Sequence, residues 1–249
     1  MRQAAREQKY NLKDELMNRY LDYSEILPVL GDLSSEKYID TIDLKCSDLE
    51  ELLTNSYLDV TKKAKNDKVE KFMNPPSFVV VFYYYIYVFQ NVPTLEQYRS
   101  FYYEINQKWI NNTVPDNLIQ AFRGRIARTY PSLFRDVHFY FFLKEKSGFK
   151  RVIYKMKYDL NGKVDLFVQT YSNNWFGIQL RLDTKKSNYF AKERKPHRNA
   201  IEIPALKSII DLPLSLSNAR SIFTKKNDLK VYSDNEYREL IKAIQRAEV

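Results

Sequence analysis

One cysteine in 249 residues, Cys46, excludes an intramolecular disulfide and any multi-cysteine zinc or iron–sulfur site. Two histidines, His138 and His197, are too few for a histidine-rich catalytic metal centre. Glycine (5) and proline (9) are scarce, which removes collagen-like repeats and flexible-linker architecture. Hydrophobic residues at 44% and aromatics at 15% exclude wholesale disorder. The most apolar run, Phe78–Phe89, has 12 residues, whereas a membrane span takes about 20. It reads as a buried helix. Met1-Arg-Gln-Ala-Ala-Arg leads into charged residues, not into the apolar stretch of a secretory signal. The expectation is a soluble cytoplasmic protein with no membrane partner.

What the chain has in excess is positive charge, +9 overall, unevenly spread. Residues 1–60 hold 7 Lys/Arg against 13 Asp/Glu, residues 121–160 hold 10 against 3, and residues 181–198 hold 7 against 2. A basic centre beside an acidic N-terminal region suggests a polyanion-binding face, with nucleic acid the commonest partner. The plainer reading is a basic chain with solvated cationic faces.

The order of patterns gives an α+β protein. Leu12, Leu16, Tyr20 and Tyr23 form a helical stripe. Ser47 with Glu50, and Thr94 with Gln97, read as helix caps. Lys62–Lys71 reads as a solvated charge run. The Thr94 cap opens a helix through Trp109, and another runs from Asn117 to about Thr129. Tyr130-Pro131-Ser132 is expected to break the chain before a further helix, Leu133–Lys144. After Gly148 the period changes to 2. Arg151–Asp183 is expected to form a three-stranded antiparallel meander, with Asn161-Gly162 in its first turn. A basic segment Lys185–Arg198, helical before Pro196, a strand at Ile201–Ile203, and a C-terminal helix from Ser233 complete the reading. The expected division is a helical, DNA- or partner-binding region over 1–130 and an α+β core over 131–249.

The polar face of the meander carries the chemistry. Gln179 and Arg181 share a face with one residue between them. A three-residue loop, Ser172–Asn174, would pair Tyr171 with Trp175 and set Asp165 opposite Arg181 and Phe167 opposite Gln179. Asp165 and Arg181 then read either as a cross-strand ion pair or as part of a site.

Gly162-Lys-Val-Asp165 and Ile178-Gln179-Leu180-Arg181 resemble the motif pair of the PD-(D/E)XK nuclease superfamily. The resemblance covers Ser132 to about Ile210. It implies an αβββαβ restriction-endonuclease-like core, with an acid on the second strand and Glu or Gln, one residue, then Lys on the third. It also implies Mg²⁺ held by Asp165 and the Gln179 carbonyl oxygen, and metal-assisted phosphodiester hydrolysis. The catalytic set is then Asp165, Gln179, Arg181 and, on the preceding helix, Asp136. Arg181 stands where the family has lysine and stays protonated, so it stabilises charge and does not act as a base.

Two basic segments are candidate nucleic-acid contacts. Arg125 and Arg128 share a helix face, with Arg123 nearby. Lys185, Lys186, Lys192, Arg194, Lys195 and Arg198 interleave with Tyr189 and Phe190, a composition suited to phosphate contact and base stacking. Each also reads as a solvated surface. His138 lies among apolar residues and reads as a hydrogen-bonded core histidine ahead of a catalyst, and Cys46 has no evident basic neighbour to activate it. The sequence therefore points to a DNA-binding, Mg²⁺-dependent nuclease of restriction, mobile-element or phage-defence type, with DNA ahead of RNA. The alternatives are a catalytically inactive nucleic-acid-binding or assembly subunit with a nuclease-like fold, and a protein–protein adaptor. The acidic N-terminal helices are the candidate surface for a homodimer or a protein partner.

Overall fold

A computed structural model describes residues 25, 26, 28, 30, 35, 38–58, 65–162, 164–184 and 206–248. The elements in chain order are α1 (Cys46–Thr54), a π-helical turn (Lys68–Phe72), α2 (Phe78–Phe89), α3 (Leu95–Ile105) and α4 (Gln107–Thr113). A 3-10 turn (Asp116–Leu118) leads into α5 (Ile119–Glu145). Then follow β1 (Arg151–Ile153), α6 (Met156–Gly162), β2 (Leu166–Gln169), β3 (Trp175–Leu182), β4 (Leu206–Leu214), β5 (Arg220–Phe223), β6 (Asp228–Val231) and α7 (Asp234–Glu248). The protein is α+β. It forms two compact units, one of residues 1–30 and 60–130, the other of 31–59 and 131–249. The expected stripe at Leu12–Tyr23, the helix over Lys185–Arg198 and the strand at Ile201–Ile203 lie outside the described residues.

The first unit is organised around the apolar run. Ser77 caps α2, its hydroxyl accepting from Val80 N–H at 3.4 Å. Phe82 packs edge-on against Tyr98 and Tyr130. These tyrosines bury their rings and keep their hydroxyls bonded, as buried phenols require. Tyr98 donates to Phe78 O at 3.0 Å, Tyr102 to Pro76 O at 2.7 Å and Tyr130 to Pro93 O at 2.8 Å. Thr94 and Gln97 form the expected capping box of α3. The helix stops at Ile105, not at Trp109, because Asn106 leaves helical geometry. The Lys62–Lys71 run is not wholly solvated: Val69 is fully buried and Glu70 pairs with Arg128.

The second unit is a four-stranded sheet of order β1-β2-β3-β4. The first three strands run antiparallel in sequence, and β4 is parallel to β3. Buried Val168, Phe176, Ile178, Ile210, Leu212 and Leu214 form one apolar side. Phe139 of α5 packs in a tilted pair on Tyr232, which follows β6, with ring centroids 4.7 Å apart, and α7 buries Leu240 and Ile244. On the other side Tyr158 of α6 packs on Phe167 at 5.3 Å, in a cluster with Ile153, Val164, Trp175 and Leu206. Gly177 lies beneath this cluster, and a Cβ there would meet Val164 at 3.0 Å.

Three expectations are corrected. Tyr130-Pro131-Ser132 does not break the chain, and α5 continues through Pro131. Proline removes one helical hydrogen bond, but the flanking Tyr130, Leu133 and Phe134 are buried, and packing holds the helix. Asn161-Gly162 is not a hairpin turn. It ends α6, since the same dipeptide also suits a helix C-terminus. The β2–β3 loop is longer than three residues. Gln169 pairs with Trp175, and Thr170 N–H closes onto Asn174 O at 2.9 Å. Phe167 therefore faces Gly177, not Gln179. The slip is by two residues, so parity and faces are kept.

Candidate functional site

Asp165 immediately precedes β2, where β3 runs on beyond its neighbour. Its N–H donates to Ile178 O at 2.9 Å, and its carboxylate accepts from Leu180 N–H. Asp165 thus brackets Gln179 and continues the ladder with a side chain. It is not opposite Arg181, as the three-residue loop would have required. Arg181 turns the other way, toward β4, where its Nε meets both oxygens of Asp211 at 2.7 Å. In the parallel register Gln179 is the partner of Asp211. Asp165, Gln179 and Asp211 therefore form a row across three strands, with Arg181 fastened to its end. Asp211 had no sequence signal, because β4 lies outside the strand expected at Ile201–Ile203.

Asp136 lies on α5, in the part belonging to the second unit. Burial pushes its carboxyl well up, Arg135 opposes that shift, and Asp159 of α6 adds to it. Asp159 is itself raised by burial, opposed by a hydrogen bond from Tyr154 at 2.8 Å. The Tyr232 hydroxyl is raised first by burial and next by Asp136, with Asp165 contributing. The helix acid and the strand acid thus act on one phenol, which contacts Arg181 O at 3.3 Å.

Mg²⁺ keeps several waters and takes one or two protein carboxylates. Asp165, across the ladder from Gln179, supplies one such carboxylate. Among the described residues, no three Asp, Glu, His or Cys donors close on Asp165 at ligand spacing.

The expected nucleic-acid contacts fare differently. Arg125 donates to Val69 O and to Met73 O at 3.0 Å and lies over Phe78. Arg128 pairs with Glu70, and the exposed Arg123 sits over Tyr103. Arg125 and Arg128 therefore tie the π-helical turn to α5. Lys185, Lys186, Lys192, Arg194, Lys195 and Arg198 lie outside the described residues. A groove of about 550 Å³ runs between β4 and α7, lined by Asp211, Arg238, Lys242 and Arg246 among others. The three cations recur every four residues, one turn apart, and all are exposed. Arg238 and Arg246 make no hydrogen bond or ion pair among the described residues. Lys242 pairs with Glu239 at 2.8 Å.

A second polar cluster links α1, α5 and β5. Cys46 Sγ lies 3.1 Å from His138 Nε2, which lies 3.1 Å from Glu50 Oε1. Arg220 donates through both terminal nitrogens to Glu50. Cys46 N–H donates to Glu145 at 2.6 Å. Cys46 does have a basic neighbour, but the thiol is not activated. Burial, then Glu50 and Glu145, push it up to about 12. Glu50 is held down at about 2, chiefly by its bonds to His138 and Arg220. The sequence showed Cys46 and Glu50 one helical turn apart; nothing local tied them to His138. No known family profile, curated protein or solved structure matches the chain.

Proposed function

We propose that the second unit is a phosphodiester hydrolase acting on nucleic acid, DNA ahead of RNA, on a restriction-endonuclease-like core. One observation carries this reading. An antiparallel meander followed by a parallel fourth strand sets Asp165 across from Gln179, with Arg181 two residues on along β3 and paired to Asp211 of β4, and α5 of the same unit bears Asp136. The groove beside Asp211, with its cations one helical turn apart, supports a polyanionic substrate.

Mg²⁺ bound by Asp165 and the Gln179 carbonyl oxygen would supply polarisation of the phosphate and activation of a water. The chain supplies the rest. Arg181, aimed by Asp211, stabilises charge gathering on the phosphoryl oxygens. Asp136, whose carboxyl burial pushes up, carries less negative charge than an ordinary aspartate. Arg238, Lys242 and Arg246 hold the backbone of the nucleic acid and fix its register. A setting in restriction, mobile-element or phage defence follows by analogy with where such cores occur.

A second reading, a catalytically silent nucleic-acid-binding or assembly subunit, is favoured by two contacts. Arg181 spends its Nε on Asp211, and Asp165 spends a carboxylate oxygen on Leu180 N–H. Incubating the chain with duplex and single-stranded DNA and RNA, in Mg²⁺, Mn²⁺ or EDTA, separates the two. The hydrolase reading expects metal-dependent cleavage that Asp165→Ala removes while binding persists. Binding without cleavage in any metal selects the silent subunit.

A further inference from the structure

We propose that Cys46, Glu50 and His138 form a binding site for one transition-metal ion of the Zn²⁺ class, apart from the Asp165 row and independent of the nuclease reading. The three donor atoms are mutually close. Sγ and Nε2 are 3.1 Å apart, Nε2 and Oε1 3.1 Å, and Sγ and Oε1 3.7 Å. Ligands about 2.0–2.3 Å from a shared tetrahedral ion stand at such separations from one another. Among the described residues this is the one trio of Cys, His, Asp or Glu donors that closes to within 4.8 Å.

The donors sit on rigid elements. Cys46 and Glu50 are one turn apart on α1, so they share a helix face. His138 comes from the middle of α5 and is wholly buried. Its Nδ1 has no partner among the described residues, so the ring directs its polar function through Nε2 at the thiol and the carboxylate. The carboxylate is itself oriented from outside, by the two Arg220 bonds, as outer partners orient metal ligands. The side chain of Glu50 is 22% exposed, whereas His138 is closed off, so an ion and a fourth, water ligand enter from the Glu50 side.

Donor chemistry sets the ion. A thiolate and an imidazole with one carboxylate select Zn²⁺ and its soft neighbours, whereas Mg²⁺ prefers an all-oxygen shell. Binding converts the Cys46 thiol to a metal-bound thiolate. The S–H bond breaks, the sulfur lone pair forms the new bond, and one proton leaves to solvent for each ion bound. No oxidant or reductant takes part.

The test uses the full chain, dialysed against chelator and then titrated with Zn²⁺, Co²⁺ or Mg²⁺. Expected are one equivalent of Zn²⁺, one proton released per ion by calorimetry in buffers of different ionisation heat, and a rise in Tm. With Co²⁺ a thiolate-to-cobalt charge-transfer band appears. Cys46→Ser removes the band and weakens binding by more than the ~10- to 100-fold that even outer partners cost. Should Cys46→Ser fail to fold, Glu50→Gln, of the same shape, serves in its place: affinity falls and the band persists or shifts. Stoichiometric binding that is equal in the wild type and the Cys46 or Glu50 variant, a Co²⁺ complex without the charge-transfer band, or no binding at all overturns the proposal.

Discussion

Glu50 and Asp136 titrate in opposite senses. Glu50 is held low by His138 and Arg220, so it is ionised in the fold when the unfolded chain begins to take up protons. Its contribution is present above its ordinary value of 4.5 and is lost as pH falls toward about 2. Asp136 is raised by burial. Its neutral form is favoured in the fold, so its contribution is complete below 3.8 and is lost as pH rises toward about 8. Asp159, also raised, adds to that loss. Asp136→Asn, which cannot ionise, should raise Tm at pH 8 and leave it nearly unchanged at pH 4; thermal melts across that range check this. Glu50→Gln should lower stability by ~1 kcal/mol at pH 7, the scale of a partly solvated ion pair, and by less as pH drops. An equal cost at pH 3 and pH 7 would contradict the ion-pair account.

At the scale of elements, α5 and α6 show where local pattern and tertiary structure part. Phe78–Phe89 is legible as a helix because twelve apolar residues leave little else to form. Thr94 with Gln97 is legible because capping is local chemistry. Pro131 misleads, since burial on both sides outweighs one missing bond, and Asn161-Gly162 misleads because it fits two kinds of ending. Pro131→Ala should restore the N–H to the Ala127 carbonyl and stabilise the chain by ~1–3 kcal/mol, which denaturant unfolding would reveal. Glu248, at the end of α7, accepts from Thr170, Ser172 and Asn174 in the β2–β3 loop. Glu248→Ala should therefore speed amide exchange across Thr170–Asn174 while leaving the Tm almost unchanged. Unaltered exchange there would show that the loop holds itself.

For the molecule as a whole, charge and topology carry the functional reading. The alternation of Leu166–Gln169 and Trp175–Leu182 made β2 and β3 legible, and with them the neighbourhood of Asp165, Gln179 and Arg181. Asp211 was not legible, because its role arises only from the parallel pairing of β3 with β4, across a long connection. The cations of α7 carry no motif of their own in the sequence; the groove gives them a common side. If they hold phosphates, Arg238→Glu with Arg246→Glu should weaken nucleic-acid binding and flatten its dependence on salt, because fewer counterions are released. An unchanged slope would assign the contact to another surface. The most direct test of the central claim remains cleavage of labelled DNA by the wild type and by Asp165→Ala, side by side in Mg²⁺. The account predicts cleavage by the wild type, loss of cleavage with retained DNA binding in Asp165→Ala, and a drop on the order of 10²-fold in Arg181→Ala. Cleavage that survives in Asp165→Ala, or a wild type that binds DNA and never cuts it, would contradict the claim.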